Sequence, residues 1–323
     1  MKSLYITKDN AGQTLFRYAG KVLKRAPDSF LYKNLRKKNI DINKKKCTGK
    51  EILREGDEVH FWLSDETFAR FSEEAPAVQR IFLDRSLEPA ILYEDDDVIL
   101  VNKPAGLLTQ RDHTGTVSLN DWLLGHVPAG PGVSPSVCNR LDRNTSGIVA
   151  CGKTVRGLQA LSACFRDRTV HKYYTAIVWG RPAKEGTIRG FLQKDRAGNE
   201  TCVAEGVSGE ARAAETRYRR LRSWQAGDVL LSGLEVFLVI GRSHQIRIHM
   251  AHIGCPLLGD RKYGTRESLA GAEMFGVRRQ LLHAGRLEFP VMEGPLAALS
   301  GTSWEAPLPD DFRRIWQAGE GRL

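Results

Sequence analysis

The sequence predicts an α+β chain in two unequal parts: a small α/β module at residues 1–65, a linker at 66–80, and a larger domain at 81–323 on a mixed, mainly antiparallel sheet. Three observations predict it. Positive charge is concentrated near the N-terminus. Apolar strand-like runs recur from about Ile81 onward, with helical periodicity between them. The stretch between the two parts has mixed charge, one proline and weak periodicity.

In the first part, apolar residues at 15, 16, 19, 22 and 23 predict an amphipathic helix over Thr14 to Arg25. A second short helix fits Ser29 to Lys37, with Asp28 or Ser29 as its cap. Ile40 to Asn43 alternates like a strand, and Val59 to Trp62 reads as another, entered through the turn Glu55-Gly56-Asp57. In the second part the strand runs are Val98 to Val101, Ile148 to Cys151, Tyr174 to Val178 and Leu234 to Ile240. Helices are predicted at Ser118 to His126 and at Thr154 to Arg166, the latter capped by Thr154.

The chain has 323 residues, 41% of them hydrophobic and 27% charged, as in ordinary globular proteins. There is no bilayer-length apolar run and no signal peptide at Met1, so a cytoplasmic protein is expected. The six cysteines, at 47, 138, 151, 164, 202 and 255, are scattered without a C-x-x-C pair and read as thiols. Net charge is +10, and Lys33 to Lys50 alone carries +7: Lys33, Arg36, Lys37, Lys38, Lys44, Lys45, Lys46 and Lys50 against Asp41. So localised a cluster suits a polyanion such as RNA, with a solvated lysine-rich face as the bland alternative.

The most informative segment is Asn139-Arg140-Leu141-Asp142-Arg143-Asn144-Thr145-Ser146-Gly147-Ile148. It frames one carboxylate between two arginines, which favour its charged form and suit a nucleophile or base better than a general acid. A surface ion pair beside a turn is the alternative. Four further segments accompany it: Val101 to Gly106; His171 to Gly180, with tyrosines opening a strand; Gly241 to Met250, continued by Gly254 to Asp260 and Tyr263-Gly264; and Leu281-Leu282-His283-Ala284.

Taken in order, over roughly residues 85 to 290, these segments resemble the RluA-type pseudouridine synthases, with Asn139 where many members carry His. Residues 12 to 63 resemble the S4-type RNA-binding module of a small-subunit ribosomal protein, though by pattern alone. The combination is similar to members that act on large-subunit (23S) ribosomal RNA. Transfer RNA as substrate, or a non-catalytic RNA-binding or ribosome-assembly factor, are the alternatives. The resemblance implies the pseudouridine synthase fold and isomerisation of uridine, whose N1–C1′ bond is exchanged for a C5–C1′ bond without net oxidation or hydrolysis. It therefore implies no cofactor and no metal. Ordinary glycoside hydrolysis uses two carboxylates and a water; here one carboxylate is framed.

By the same resemblance Asp142 is catalytic, either adding to the sugar or removing the C2′ proton. Arg247 would hold that carboxylate, ideally through a bidentate contact, and Arg242 is the less suited holder. Tyr174 would stack on the uracil, since a phenol with a pKa of about 10 is a poor base. Leu282 would be an apolar floor, and Arg140 would fill the gap left by a flipped-out base. Lys33, Arg36, Lys37, Lys38, Lys44, Lys45 and Lys46 would bind RNA. A monomer is the default expectation.

Two other patterns weigh little. Gly147 to Thr154 satisfies G-x-x-x-x-G-K-T, but Ile148 to Cys151 reads as the strand itself and not as a phosphate-cradling loop. His244, His249, His252 and Cys255 invite a metal-site reading, but residues 244 and 249 diverge by roughly 140° on a helix.

Overall fold

The computed structural model describes residues 1–72, 84–128, 130–194, 201–204 and 212–318. The N-terminal part is a four-stranded antiparallel sheet, β1 (Lys2–Tyr5), β2 (Ile40–Ile42), β3 (Lys45–Lys46) and β4 (Glu58–Phe61), in the order β1-β4-β2-β3. Helices α1 (Leu15–Val22) and α2 (Asp28–Arg36) pack on it through Leu15, Tyr18, Ala19, Leu31 and Leu35, against Ile40, Val59 and Phe61. Thr14 caps α1 by accepting the Arg17 N–H. The cap residue of α2 is Pro27, which makes no side-chain cap bond; Asp28 lies in the first turn instead, where its charge complements the helix dipole.

Asp41, the one acid inside the basic segment, is 1% exposed and fully occupied. Its carboxylate accepts from Trp62 Nε1 (2.8 Å) and the Lys44 N–H (3.0 Å), and pairs with His60 Nδ1 (2.9 Å). The Lys44 bond holds a turn in which Asn43 (φ 50°) and Lys44 (φ 63°) are both left-handed, the geometry that matches the twist of a tight hairpin.

The stretch read as a linker begins as a helix. Residues Asp65–Ser72 form α3, whose Phe68 and Phe71 pack on the module's core; Phe68 meets Phe61 edge-on and Phe71 meets Phe30. Weak periodicity hid it because only two aromatics anchor a helix with no fully buried residue. Residues 73–80 of the expected linker lie outside the described residues. The module also touches the larger part. Gln13 Nε2 donates to the Gly132 carbonyl (3.0 Å), Asn10 Nδ2 to Pro131 (3.1 Å), Gln159 Nε2 to Gly12 (2.9 Å) and the Val155 N–H to Asp9 (3.0 Å).

The larger part is a mixed, mainly antiparallel α+β sheet, as its sequence predicted. Its strands are β5 (Ala90–Glu94), β6 (Val98–Lys103), β7 (Ser136–Val137), β8 (Ser146–Gly152), β9 (His171–Trp179), β10 (Glu185–Lys194), β11 (Thr201–Ala204), β12 (Arg212–Ala226), β13 (Val229–Leu238), β14 (Leu282–Glu288) and β15 (Ser303–Glu305). They run in the order β11-β10-β12-β13-β9-β14-β8-β6-β5, with β15 on β14 and β7 on β8; only β8 and β14 pair in parallel among the described residues. The apolar run expected to reach Ile240 ends at Leu238.

Both faces of the central strands are covered, which is why they read as continuous apolar runs. Ile99, Val101, Val149 and Cys151 enter one core with Leu119 and Leu123 of α4 (Leu119–His126). Their neighbours Val98, Leu100, Ile148 and Ala150 enter the other with Leu161 of α5 (Val155–Arg166). Ser118 and Asp121 form a reciprocal capping box on α4, and Thr154 caps α5. Residues 146–152 are therefore strand, not a phosphate loop. The helices α6 (Gln245–His252), α7 (Arg266–Met274) and α8 (Asp310–Ala318) complete the fold.

Candidate active site

Asp142 sits on the loop between β7 and β8, and the surrounding chain pins that loop from three sides. Thr109 Oγ1 donates to the Leu141 carbonyl (2.8 Å) and accepts the Leu141 N–H (3.1 Å). Arg279 donates to the Asn144 carbonyl (3.1 Å). Lys103, wholly buried at the end of β6, donates to the carbonyls of Leu107 (2.8 Å), Pro104 (2.9 Å) and Arg143 (3.2 Å). Burial, then the Arg279 charge, push its ammonium down to about 7, while the Asp142 charge pulls the other way. Just past the loop, Gly147 (φ +116°) lets β8 pass β14: a Cβ there would lie 2.2 Å from the Ala284 carbonyl oxygen.

Arg247 comes from α6. Gln245, the first residue of that helix, donates through Nε2 to the Glu215 carbonyl (2.9 Å) and to Thr216 Oγ1 (3.0 Å), and so fixes α6 to β12. The Arg247 guanidinium reaches two carboxylates. It donates in bidentate fashion to Asp260, through Nε (2.7 Å) and Nη2 (2.8 Å), and through Nη1 to Asp142 at 3.2 Å. The fork therefore belongs to Asp260, which is wholly buried, and the contact with Asp142 is a single bond. Geometry explains this correction: the buried acid takes the Nε–Nη2 edge of the planar guanidinium, which leaves Nη1 to donate to Asp142. Burial opposes the Arg247 charge, but the hydrogen bonds and charge of Asp260, then those of Asp142, outweigh it and raise its pKa.

The ion-pair partners of the Asp142 carboxylate among the described residues are Arg247 and, at 3.9 Å, His244; its sequence neighbours Arg140 and Arg143 are not among them. Arg143 donates to the Gly106 carbonyl instead (3.0 Å), and Arg140 is exposed. His244 stands at the N-terminus of α6 in the left-handed region (φ 58°), a costly conformation for a non-glycine residue, and its Nδ1 is 2.8 Å from the Tyr263 hydroxyl. Burial, against the pull of Asp142, lowers its pKa and favours neutral imidazole.

One cavity of about 570 Å³ collects Asp142, Tyr174, Arg247, Leu282 and Arg140, together with Arg143, Lys172, Arg242 and His244. Tyr174 is buried on β9, and Leu282 of β14 pairs with Ala176 two residues further along β9. Burial first, and the Asp142 charge second, push the Tyr174 phenol well above its ordinary value. Asn139, on the cavity lining, bonds to the edge of β8: its side chain accepts the Ala150 N–H (2.8 Å) and donates to the Ile148 carbonyl (3.3 Å). Sequence reasoning missed Asp260 and His244. Both lie inside segments singled out for their pattern, but nothing local marks either as a neighbour of Asp142.

The basic residues divide. Lys33 and Arg36 of α2 and Lys46 of β3 line a second depression of about 610 Å³ on the module. Lys37, Lys38, Lys44 and Lys45 are exposed outside its lining. The histidines do not form a metal set: among the described residues no three His, Cys, Asp or Glu side chains gather as ligands, and His249 Nδ1 faces Thr216 Oγ1 at 2.9 Å.

A braced carboxylate beside a buried aromatic ring, in a cleft rimmed by cations, suits an enzyme that acts on a polyanionic substrate. The sequence profile described as RNA pseudouridylate synthase matches residues 97–252. The chain is 33% identical over 291 residues to the ribosomal large subunit pseudouridine synthase C of Vibrio cholerae, covering 88% of this chain and 87% of that one. It is 30% identical over 326 residues to the protein of the same name from Escherichia coli O157:H7, covering 98% and 96%. Human RNA pseudouridylate synthase domain containing 4 shares the fold: TM-score 0.56 at 24% identity, over 72% of this chain and 94% of that one. The chain belongs to the RluA family of RNA pseudouridine synthases.

Proposed function

We propose that this protein isomerises specific uridines of large-subunit ribosomal RNA to pseudouridine, in the cytoplasm and as a monomer. Residues 1–65, with α3, form an S4-like RNA-binding domain, and residues 81–323 the catalytic domain. The observation that carries the chemistry is Asp142 and Arg247 in one cavity with Tyr174, with buried Asp260 holding Arg247 from behind. The target uridine leaves its stack, at a cost of a few kcal/mol, and Arg140, exposed on the cavity rim, fills the gap. Asp142 attacks the sugar at C1′ or removes the C2′ proton. The N1–C1′ bond breaks, the uracil turns, C5 bonds to C1′, and the C5 proton is lost while N1 gains one.

Arg247 keeps the carboxylate aimed, and Asp260 keeps Arg247 aimed. Tyr174 stacks on the uracil; with its pKa raised it is a still poorer base than a free phenol. Leu282 forms an apolar wall of the cavity. Large-subunit RNA is favoured over transfer RNA by the names of the two bacterial relatives, and catalysis over silent binding by the braced carboxylate, which binding a polyanion does not need. Chemical mapping of pseudouridine in total RNA, from cells with the protein, without it, and with Asp142→Asn, is the test. The expected result is loss of the same ribosomal sites in both deficient strains. Unchanged ribosomal RNA with altered transfer RNA would move the substrate, and a fully active Asp142→Asn would remove Asp142 from the reaction.

A further inference from the structure

We infer that Tyr32 is a stacking platform for an unpaired RNA base, so that the N-terminal module reads an unstacked nucleotide as well as backbone charge. The inference rests on the RNA-binding role proposed for that module. Tyr32 lies on α2 and is 59% exposed. A lone exposed tyrosine is unremarkable on a protein surface. This one is pre-set: its ring stacks on Phe16 of α1 at 4.4 Å between centroids and 25° between planes, which immobilises it and leaves one face free.

The surroundings suit a nucleotide. Tyr32 lines the depression of about 610 Å³ with the cations Lys33, Arg36 and Lys46 and the hydroxyls of Ser29 and Thr48. Arg36 follows Tyr32 by one helical turn and so shares its face. No ion pair engages Lys33, Arg36 or Lys46 among the described residues, and Asp41, the acid between Arg36 and Lys46 in sequence, is buried and bonded elsewhere. Glu51, the carboxylate on the opposite turn, is used up as a turn cap, accepting from the Thr48 N–H (2.7 Å), the Thr48 hydroxyl (2.9 Å) and the Gly49 N–H (2.7 Å). Gly49 (φ +95°) lets that turn close on the aromatic pair: a Cβ there would lie 3.3 Å from Phe16 Cβ and 2.8 Å from Leu35 Cδ1. An aromatic face edged by three unneutralised cations matches a base flanked by its phosphates. An acidic or purely apolar partner would use only half of it.

The test is equilibrium binding of the full chain to a short RNA hairpin with an unpaired loop and to a fully paired duplex, over a range of salt. Tyr32→Ala should weaken hairpin binding roughly tenfold, leave duplex binding unchanged and leave the salt slope unchanged, because stacking releases no counterions. Tyr32→Phe should bind like the parent. Tyr32→Leu, which keeps an apolar group on Phe16 but lacks a π face, should lose affinity as alanine does, and guards against a folding artefact. Parent-like hairpin binding by Tyr32→Ala, an equal loss on duplex, or a flattened slope would each overturn the platform. Substituting Lys44, Lys45 and Lys46 together separates the premises. If that variant loses affinity while Tyr32→Ala does not, only the platform fails. If neither variant loses affinity, the module's RNA-binding role fails with it.

Discussion

The two charged regions of this molecule are built on opposite principles. At the active site the acids and the cations that brace them are paired: Asp142 and Asp260 share Arg247, and Lys103 is satisfied by three carbonyls. On the N-terminal module the cations are exposed, and the acid among them, Asp41, is turned inward to hold a hairpin and a tryptophan. Charge meant to act on one bond must be held in one place, which burial and pairing accomplish. Charge meant to attract a polyanion works best unpaired and in water, where association releases counterions. Substitutions in the first region should therefore damage rate and stability, and substitutions in the second should change affinity and its dependence on salt.

The largest effect expected is that of Asp142→Asn: a fall in kcat of at least about 10³-fold with RNA affinity within a few-fold, measured by tritium release from C5-labelled RNA alongside a binding isotherm. Equal losses in rate and affinity would erase the distinction between the regions. Next is Asp260→Asn. It strips a buried guanidinium of its forked partner, so a stability loss of about 3–5 kcal/mol is expected. The remaining folded enzyme should turn over up to about 10²-fold more slowly, because Arg247 no longer aims Asp142. Denaturant melts and single-turnover rates read the two separately; a normal rate in the folded fraction would reduce Asp260 to a structural ion pair.

These two variants also mark what the sequence made legible. The Asp142 segment announces itself locally, by framing arginines, a turn and an apolar run, and the covered sheet announces itself by continuous apolar strands. The partnership of Arg247 with Asp260 does not. The two are 13 residues apart in the chain, and their contact depends on how α6 and the following loop fold back under the cavity. The flanking arginines misled for the same reason: adjacency in sequence put Arg143 beside Asp142, while the fold sent its guanidinium to the Gly106 carbonyl. Helix α3 was missed because two aromatic contacts hold it, too few to generate a period.

On the module, replacing Lys44, Lys45 and Lys46 with alanine should weaken RNA binding and lower the slope of log K against log salt by about two to three. Turnover of bound RNA should be unchanged. All three side chains are exposed, so the melting temperature should stay within a degree or so of the parent. A changed single-turnover rate at saturating protein would mean that the module shapes the catalytic cavity itself.

The smallest effect separates the regions by acid. His283, beside Leu282 on β14, is wholly buried, with Nδ1 at 2.9 Å from Ser146 Oγ and Nε2 at 3.1 Å from the Ala306 carbonyl. Burial pushes its pKa down to about 4, the Ala306 carbonyl opposing. The unfolded chain takes up this proton near pH 6.5 and the folded chain only near 4, so the unfolded state binds more protons in that window and stability falls as pH drops through it. The loss is at most about 3 kcal/mol. His249, which burial also lowers to about 4, adds a second contribution of the same sign. Neither of these histidines lies in the N-terminal module, so this contribution to acid sensitivity belongs to the catalytic domain. Hydrogen exchange at pH 5 against pH 7 should show weakened protection in β8 and β14 but not in β2 and β4, and His283→Gln should make the pH 5 loss shallower. Equal loss of protection in both regions would mean that the module and the catalytic domain unfold as one unit.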